Sequence, residues 1–313
     1  METIEESTRM KPVVVVGIPA YNEEKAIGGV VLRSLEHADR VIVCDDGSTD
    51  LTGQIASQLG ADVIRHQKNM GYGMAIQTIF ERAREVDADI LVTLDGDGQH
   101  DPSEIEEAIK PILDQTADVT IGSRFLENHP ESAMPWYRRT GIKFLTKLTN
   151  NGTKEDVKDA QSGFRAYNRK AIDSLVLLEK GMGISAEILI DARKQGLRVC
   201  EVPASCSYNN GTKTSKRNPV RHGMDVVGSI TKLVIEEKPL KLLGLPGVLF
   251  LSIGLVFGVW TLQIYGTQHY IVTNIALAAL GFIMIGFFAI STAITLYAIS
   301  RIASRANKNH NGR

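Results

Sequence analysis

The residues with the clearest capacity for chemistry stand in Asp95-Gly96-Asp97-Gly98-Gln99-His100, directly behind the apolar run Ile90-Leu91-Val92-Thr93-Leu94. Two carboxylates one residue apart, on backbone loosened by two glycines, can face a hard cation and a ligand together. Mg²⁺ takes one or two carboxylates and completes its shell with substrate phosphate oxygens and water, which suits this loop better than a closed protein cage. The later acids and bidentate Glu of an EF-hand are missing. An acidic turn capping a helix from Pro102 accounts for Asp101 but leaves Asp95 and Asp97 unexplained.

Two more polar clusters follow apolar runs. Pro19-Ala20-Tyr21-Asn22-Glu23-Glu24 comes after Val13–Ile18, and Asp45-Asp46-Gly47-Ser48-Thr49-Asp50 after Arg40–Cys44. Neither carries the Gly-x-Gly-x-x-Gly turn of a dinucleotide dehydrogenase or a Walker lysine loop. They can still hold a nucleotide edge-on, with a carboxylate accepting from base or ribose and Tyr21 offering a stacking face. Taken alone, Asp-Gly-Ser reads first as a turn and helix N-cap rather than a binding site.

Positioning these loops requires strands that end beside one another. Apolar runs at Val13–Ile18, Arg40–Cys44, Asp62–Arg65, Ile90–Leu94 and Val119–Ile121 alternate with helical patterns near Glu23–His37, Asp50–Leu59, Met74–Val86 and Pro102–Asp114. Such alternation predicts an α/β fold with a mostly parallel sheet covered on both faces, whose ligands bind beyond the carboxyl ends of the strands.

Charge is unevenly placed along the 313 residues. The net charge of −1 argues against a nucleic-acid binder, and Leu242 to Ser300 contains no Asp, Glu, Lys or Arg. At ordinary composition that stretch would hold roughly fourteen charges, so a wholly soluble protein is excluded. Residues 242–264 and 271–299 are each long enough for a membrane-spanning helix. Lys232, Lys238 and Lys241 precede this hairpin and Arg301, Arg305, Lys308 and Arg313 follow it, whereas the turn between has no basic residue. The positive-inside rule then places both termini and the N-terminal domain in the cytoplasm. Met1–Lys11 is polar and lacks a signal-peptide apolar core, and the unpaired spacing of Cys44, Cys200 and Cys206 suits reduced thiols. The expected organisation is a tail (1–12), a catalytic domain (13–217), an amphipathic juxtamembrane helix (218–241) with Val220, Met224, Val227, Ile230 and Val234 on one stripe, the hairpin (242–300) and a basic tail (301–313).

The three clusters, together with Asn69-Met70-Gly71-Tyr72-Gly73 and Gly122-Ser123-Arg124-Phe125, occur in an order that resembles the family 2 glycosyltransferases. Within that family the chain looks most like the dolichyl-phosphate mannose synthases and polyprenyl-phosphate glucosyltransferases, over roughly residues 13–216. The resemblance implies a GT-A (Rossmann-like) fold, a nucleotide-sugar donor linked to UDP or GDP, Mg²⁺ or Mn²⁺, and inverting transfer to a polyprenyl or dolichyl phosphate. By position, Pro19, Tyr21, Glu23 and Asp46 would hold the nucleotide, and Gly73 would let the backbone approach it. Asp95 would lie beside ribose or sugar, Asp97 and Gln99 would ligate the metal, and Arg124 would face phosphate at the reaction centre. Arg138 and Arg139 resemble acceptor-phosphate arginines. The segments Gln161–Arg165 and Ser185–Glu187 resemble linings of the sugar and acceptor pocket. Many relatives carry an arginine before a Gly-x-Ser-Lys loop that folds over the donor diphosphate, whereas this chain has Tyr208–Arg217, in which Lys213, Lys216 or Arg217 would take that task; Lys213 and Lys216 are also expected beside the acceptor phosphate. Independently of the family, Arg139, Lys143 and Lys147 recur every four residues, with Tyr137, Phe144 and Leu148 on another side of the same helix.

A phosphate monoester acceptor, with a second pKa of roughly 6, is already anionic near neutrality and needs no strong base. The harder task is to bring it towards a second anion, which calls for a cation on Asp97 and for Arg124, Arg138 and Arg139. Rival readings are a processive polysaccharide synthase, for which the Gln-x-x-Arg-Trp segment is lacking, a sugar-nucleotide pyrophosphorylase, and a catalytically silent nucleotide-sugar-binding membrane protein. Homo-oligomerisation is open on sequence alone.

Overall fold

The computed structural model describes residues 11–126, 136–153, 157–207, 227–229, 231–233, 235 and 238–310. Val14–Ala20 forms β1, buried at every position, as befits a β-branched run covered on two faces. It is followed by α1 (Ile27–Leu35), β2 (Arg40–Asp45), α2 (Thr52–Gln58), β3 (Asp62–Arg65), α3 (Tyr72–Glu85) and β4 (Ile90–Thr93). A short 3₁₀ turn at Pro102–Glu104, capped by Asp101 accepting from Ser103 N–H, leads into α4 (Ile105–Leu113) and β5 (Val119–Ser123). Then come α5 (Trp136–Thr153), β6 (Arg165–Asn168), α6 (Arg169–Ser174), α7 (Ile184–Lys194) and β7 (Val199–Pro203).

The seven strands lie in the order β3-β2-β1-β4-β6-β5-β7. All neighbours are parallel except β6, which runs antiparallel to both β4 (Ile90↔Asn168, Thr93↔Arg165) and β5 (Val119↔Tyr167). The expected mostly parallel sheet is therefore present, with one reversed strand and β7 added. Alternation along β1 divides the core. Val14, Val16 and Ile18 meet Val30 of α1 and Ile105 of α4, whereas Val15 and Leu91 meet Ile79 and Phe80 of α3 and Ile188 of α7. Each fully buried aliphatic side chain contributes about 1.5–3 kcal/mol.

The chain divides into two compact units, Met1–Ile230 and Thr231–Arg313. In the second, a single π-turn at Leu240–Gly244 enters α8 (Leu245–Gln268), and α9 (Thr273–His310) follows. Both are long and apolar enough to cross a membrane, over Leu240–Gln268 and Thr273–Ile299. Residues Tyr265–Gln268, read from sequence as the connecting turn, instead complete α8. The helix ends where His269 adopts the left-handed conformation at φ 55° and donates its N–H to Tyr265 O. The expected juxtamembrane helix lies largely outside the described residues; its described positions 227–229, 231–233 and 235 are helical.

Candidate active site

The polar loops converge where the sheet changes direction. From β1 the chain winds outward through β2 and β3, then returns to place β4 on the other side of β1, so a crevice opens between the ends of β1 and β4. Pro19 stands at that opening. Leu94 N–H still bonds Gly17 O, but Pro19, two residues on, has no N–H to continue the ladder, and β4 turns away into Asp95–Gln99. That loop stays close: Gly96 packs on Pro19 O and Ala20, and Gly98 on Ala26 at the start of α1.

The loops after β1 and β2 are laced into one wall. Asn22, at φ 57°, accepts Thr49 N–H through Oδ1 at 2.8 Å and donates its own N–H to Ser48 Oγ at 2.9 Å, while Glu23 N–H donates to Thr52 Oγ1 at 2.8 Å. Tyr21 is 44% exposed, with its ring on the solvent side of this wall. Asp46 is buried and engaged inward. Its carboxylate lies 2.7 Å from His66 Nδ1 and accepts the N–H groups of Met70 at 2.8 Å and Gly71 at 2.9 Å.

The close backbone approach expected at Gly73 is made by the protein's own chain. Lys180 O accepts Gly73 N–H at 2.9 Å, and a Cβ at Gly73 would lie 2.1 Å from Glu179 O. Met74 N–H shares the same acceptor, so the first turn of α3 is directed at the 179–180 backbone. The same helix contributes Tyr72, whose hydroxyl donates to Asp95 Oδ1 at 3.0 Å. Opposite it sits Gly163, where a Cβ would lie 2.6 and 2.7 Å from the two Asp95 oxygens. Because β6 is reversed, residues 160–163 arrive at the carboxyl end of the parallel strands and close this side. Buried Arg165 holds that segment by donating to Ser162 O, Ala160 O and Ser185 O.

Arg124 follows β5 and forms a two-pronged ion pair with fully buried Asp159, Nε to Oδ2 at 2.6 Å and Nη2 to Oδ1 at 2.8 Å. The expected metal residues contact each other: Gln99 donates its backbone N–H and its amide N–H to Asp97, at 3.0 and 2.6 Å. Gln99 Oε1 accepts from Cys206 Sγ, so the side-chain amide must turn before Gln99 can offer oxygen to a cation.

The site is electrostatically tense. Burial first, then Asp97, Asp50 and Asp95, pushes the Glu23 carboxyl up to about 7. Burial also raises Asp95, against the Tyr72 hydrogen bond and the positive charges of Arg124 and Arg165. Buried His100 is held below its ordinary value by burial and by Arg124. No group of three or more His, Cys, Asp or Glu able to hold a metal occurs among the described residues. Crowded carboxylates without a closed protein cage fit a cation that shares its shell with a diphosphate and water, which Asp97 and a turned Gln99 would hold.

Of the acceptor residues, Arg139 lies on α5 beside a face on which Lys143, Lys147 and Phe144 are exposed, while Ile142, Thr146 and Thr149 point inward. The Arg138 side chain, Lys213 and Lys216 lie outside the described residues. Tyr72, His66 and Asp159 escaped notice as site components in the sequence, whereas Gly163 lies in the segment Gln161–Arg165 already expected to line the pocket. Of the three, only Tyr72 had a signal, since it falls inside a motif already singled out.

Comparison with known proteins bears on this architecture. The family model for glycosyl transferase family 2 matches residues 15–176. The UDP-N-acetylglucosamine–dolichyl-phosphate N-acetylglucosaminyltransferase of Methanococcus voltae is 36% identical over 214 residues, covering 61% of this chain and 84% of that protein. The dolichyl-phosphate hexose transferase of Haloferax volcanii is 32% identical over 231 residues, covering 72% of this chain and 94% of that one. Glucosyl-3-phosphoglycerate synthase from Mycobacterium tuberculosis, solved with Mn²⁺ and UDP, superposes with a TM-score of 0.56 at 21% identity, over 71% of this chain and 80% of that one. The fold is therefore the expected GT-A arrangement, and the chain belongs to glycosyl transferase family 2.

Proposed function

We propose that this glycosyltransferase moves a hexose or N-acetylhexosamine from a nucleotide sugar to a polyprenyl (dolichyl) phosphate, with inversion, and that a UDP-sugar is preferred to GDP-mannose. The observation that carries the reading is the crevice at the β1/β4 switch, where the Asp95–Gln99 loop packs through Gly96 on Pro19 O and Ala20, and Asp97 and Asp95 lie close enough to Glu23 to oppose its ionisation. The names of the two archaeal relatives support a lipid-phosphate acceptor.

In the proposed reaction an acceptor phosphate oxygen attacks the anomeric carbon. A new carbon–oxygen bond forms as the bond to the donor diphosphate breaks, and the nucleoside diphosphate leaves with the electron pair. The acceptor is already ionised, so no side chain need take a proton. Tyr21 stacks on the base, and Asp46 keeps the 69–71 turn in place beneath it. Tyr72 and Gly163 fix Asp95 against the sugar. Arg124, oriented by Asp159, and Arg138 with Arg139, Lys213 and Lys216 draw in the acceptor anion. A bound Mg²⁺ or Mn²⁺ on Asp97 and Gln99 would supply positive charge at the departing diphosphate.

Residues 13–217 then form the catalytic domain, residues 218–241 lie along the membrane surface, and the 242–300 hairpin crosses it with both termini cytoplasmic. The test offers UDP- and GDP-sugars, with Mg²⁺ or Mn²⁺, to membranes containing the protein and identifies the labelled lipid. A labelled polyprenyl phosphate sugar is expected. Donor binding without consumption would instead indicate a silent receptor, and binding of neither nucleotide class would reject the reading.

A further inference from the structure

His66 lies behind the nucleotide wall, with its side chain 10% exposed, and joins three elements. Its backbone N–H donates to Asp45 O at the end of β2 at 2.9 Å. Its Nδ1 lies 2.7 Å from Asp46 Oδ1, and its Nε2 lies 3.0 Å from Thr78 Oγ1 on α3 and 3.6 Å from Cys44 Sγ. With a proton on Nδ1 the ring donates to Asp46, and Nε2 is within hydrogen-bond reach of the Thr78 hydroxyl. Asp46 spends the rest of its carboxylate on the amides of Met70 and Gly71, and the next residue is Tyr72, which holds Asp95. One imidazole thus connects the nucleotide wall, the 69–71 turn and the helix that orients Asp95.

We propose that His66 is a positioning residue for donor binding, acting through its Nδ1–H on Asp46. The assignment rests on the nucleotide-sugar reading above. Without that donor, the Asp46 carboxylate can rotate away from one of two amides, and the 69–71 turn loses its anchor to β2. The acceptor side, built on α5 and Arg124, is not in this chain of contacts.

Full-length protein in detergent is titrated with UDP and, in parallel, GDP in the presence of Mn²⁺, and the acceptor KM is measured with the donor the wild type consumes. His66→Ala should weaken nucleotide binding by about ten-fold or more, the loss expected when a buried charge-assisted hydrogen bond disappears, with the acceptor KM unchanged. His66→Asn, whose amide N–H replaces Nδ1–H but cannot reach Thr78, should return to within about three-fold of wild type. Unchanged nucleotide affinity in His66→Ala overturns the proposal, as does His66→Asn binding as weakly as His66→Ala. So does an equal loss on donor and acceptor together with a lowered melting temperature, which would mark a merely structural role. A wild type that binds neither nucleotide removes the donor reading itself, and this assignment with it.

Discussion

At Glu23 a half-buried carboxyl titrates near pH 7 because burial and three neighbouring acids, Asp97, Asp50 and Asp95, all oppose its ionisation. A group whose pKa is higher folded than unfolded contributes stability below its unfolded value, near 4.5, and that contribution is lost as pH rises through about 7. Glu23→Gln should therefore stabilise the chelated protein at pH 8, by on the order of 1 kcal/mol after solvent screening, and change little at pH 5. Thermal melts in excess chelator at the two pH values measure this; an equal shift at both would show that the crowding is absent. Asp97 belongs to the same acidic cluster but makes a different prediction. Asp97→Ala should lower transfer by at least about a hundred-fold while leaving the melting temperature intact, and near-normal turnover would remove Asp97 from the reaction centre.

At the scale of elements, α3 couples the parts of the site and is held tightly against residues 179–180. Gly73→Ala would drive a methyl into Glu179 O, since the Cβ would lie 2.1 Å away, and the relief must come from shifting either the helix or the 177–181 segment. Either movement disturbs the Tyr72 contact to Asp95. A stability loss of about 1–3 kcal/mol with a fall in turnover is expected, whereas Gly29→Ala in α1, where the added methyl meets nothing within 4 Å, should be neutral or stabilising by up to about 1 kcal/mol. Denaturant melts and initial rates of both variants make the comparison. The first five strands were legible because β-branched runs such as Val13–Val16 and Ile90–Leu94 stand between turn residues. β6 and β7 were not. Arg165-Ala166-Tyr167-Asn168 has only four residues and opens on a buried arginine, and β7 is an edge strand interrupted by Glu201. The acids of the site were visible as polar residues just behind strands. Their partners Tyr72, His66 and Asp159 were invisible in that role, because a contact between distant positions leaves no periodicity in a single sequence.

At the scale of the whole molecule, α8 and α9 are each long and apolar enough to cross a membrane. In the proposed hairpin two crossings return the chain to the side from which it left, so reporter tags fused at Met1 and at Arg313 should be equally accessible from the cytoplasmic side and protected from the other. Tags on opposite sides would refute the hairpin and the orientation drawn from its flanking lysines and arginines. The position of β6 has a further consequence, for the order of assembly during synthesis. Asp95 and Asp97 are translated long before Gly163 and Arg165, whose strand inserts between β4 and β5, so a nascent chain ending before Asn168 carries its acids on a sheet that is still split. β7, the last strand among the described residues, precedes the first apolar helix, so the ribosome delivers all seven described strands before it delivers the greasy hairpin.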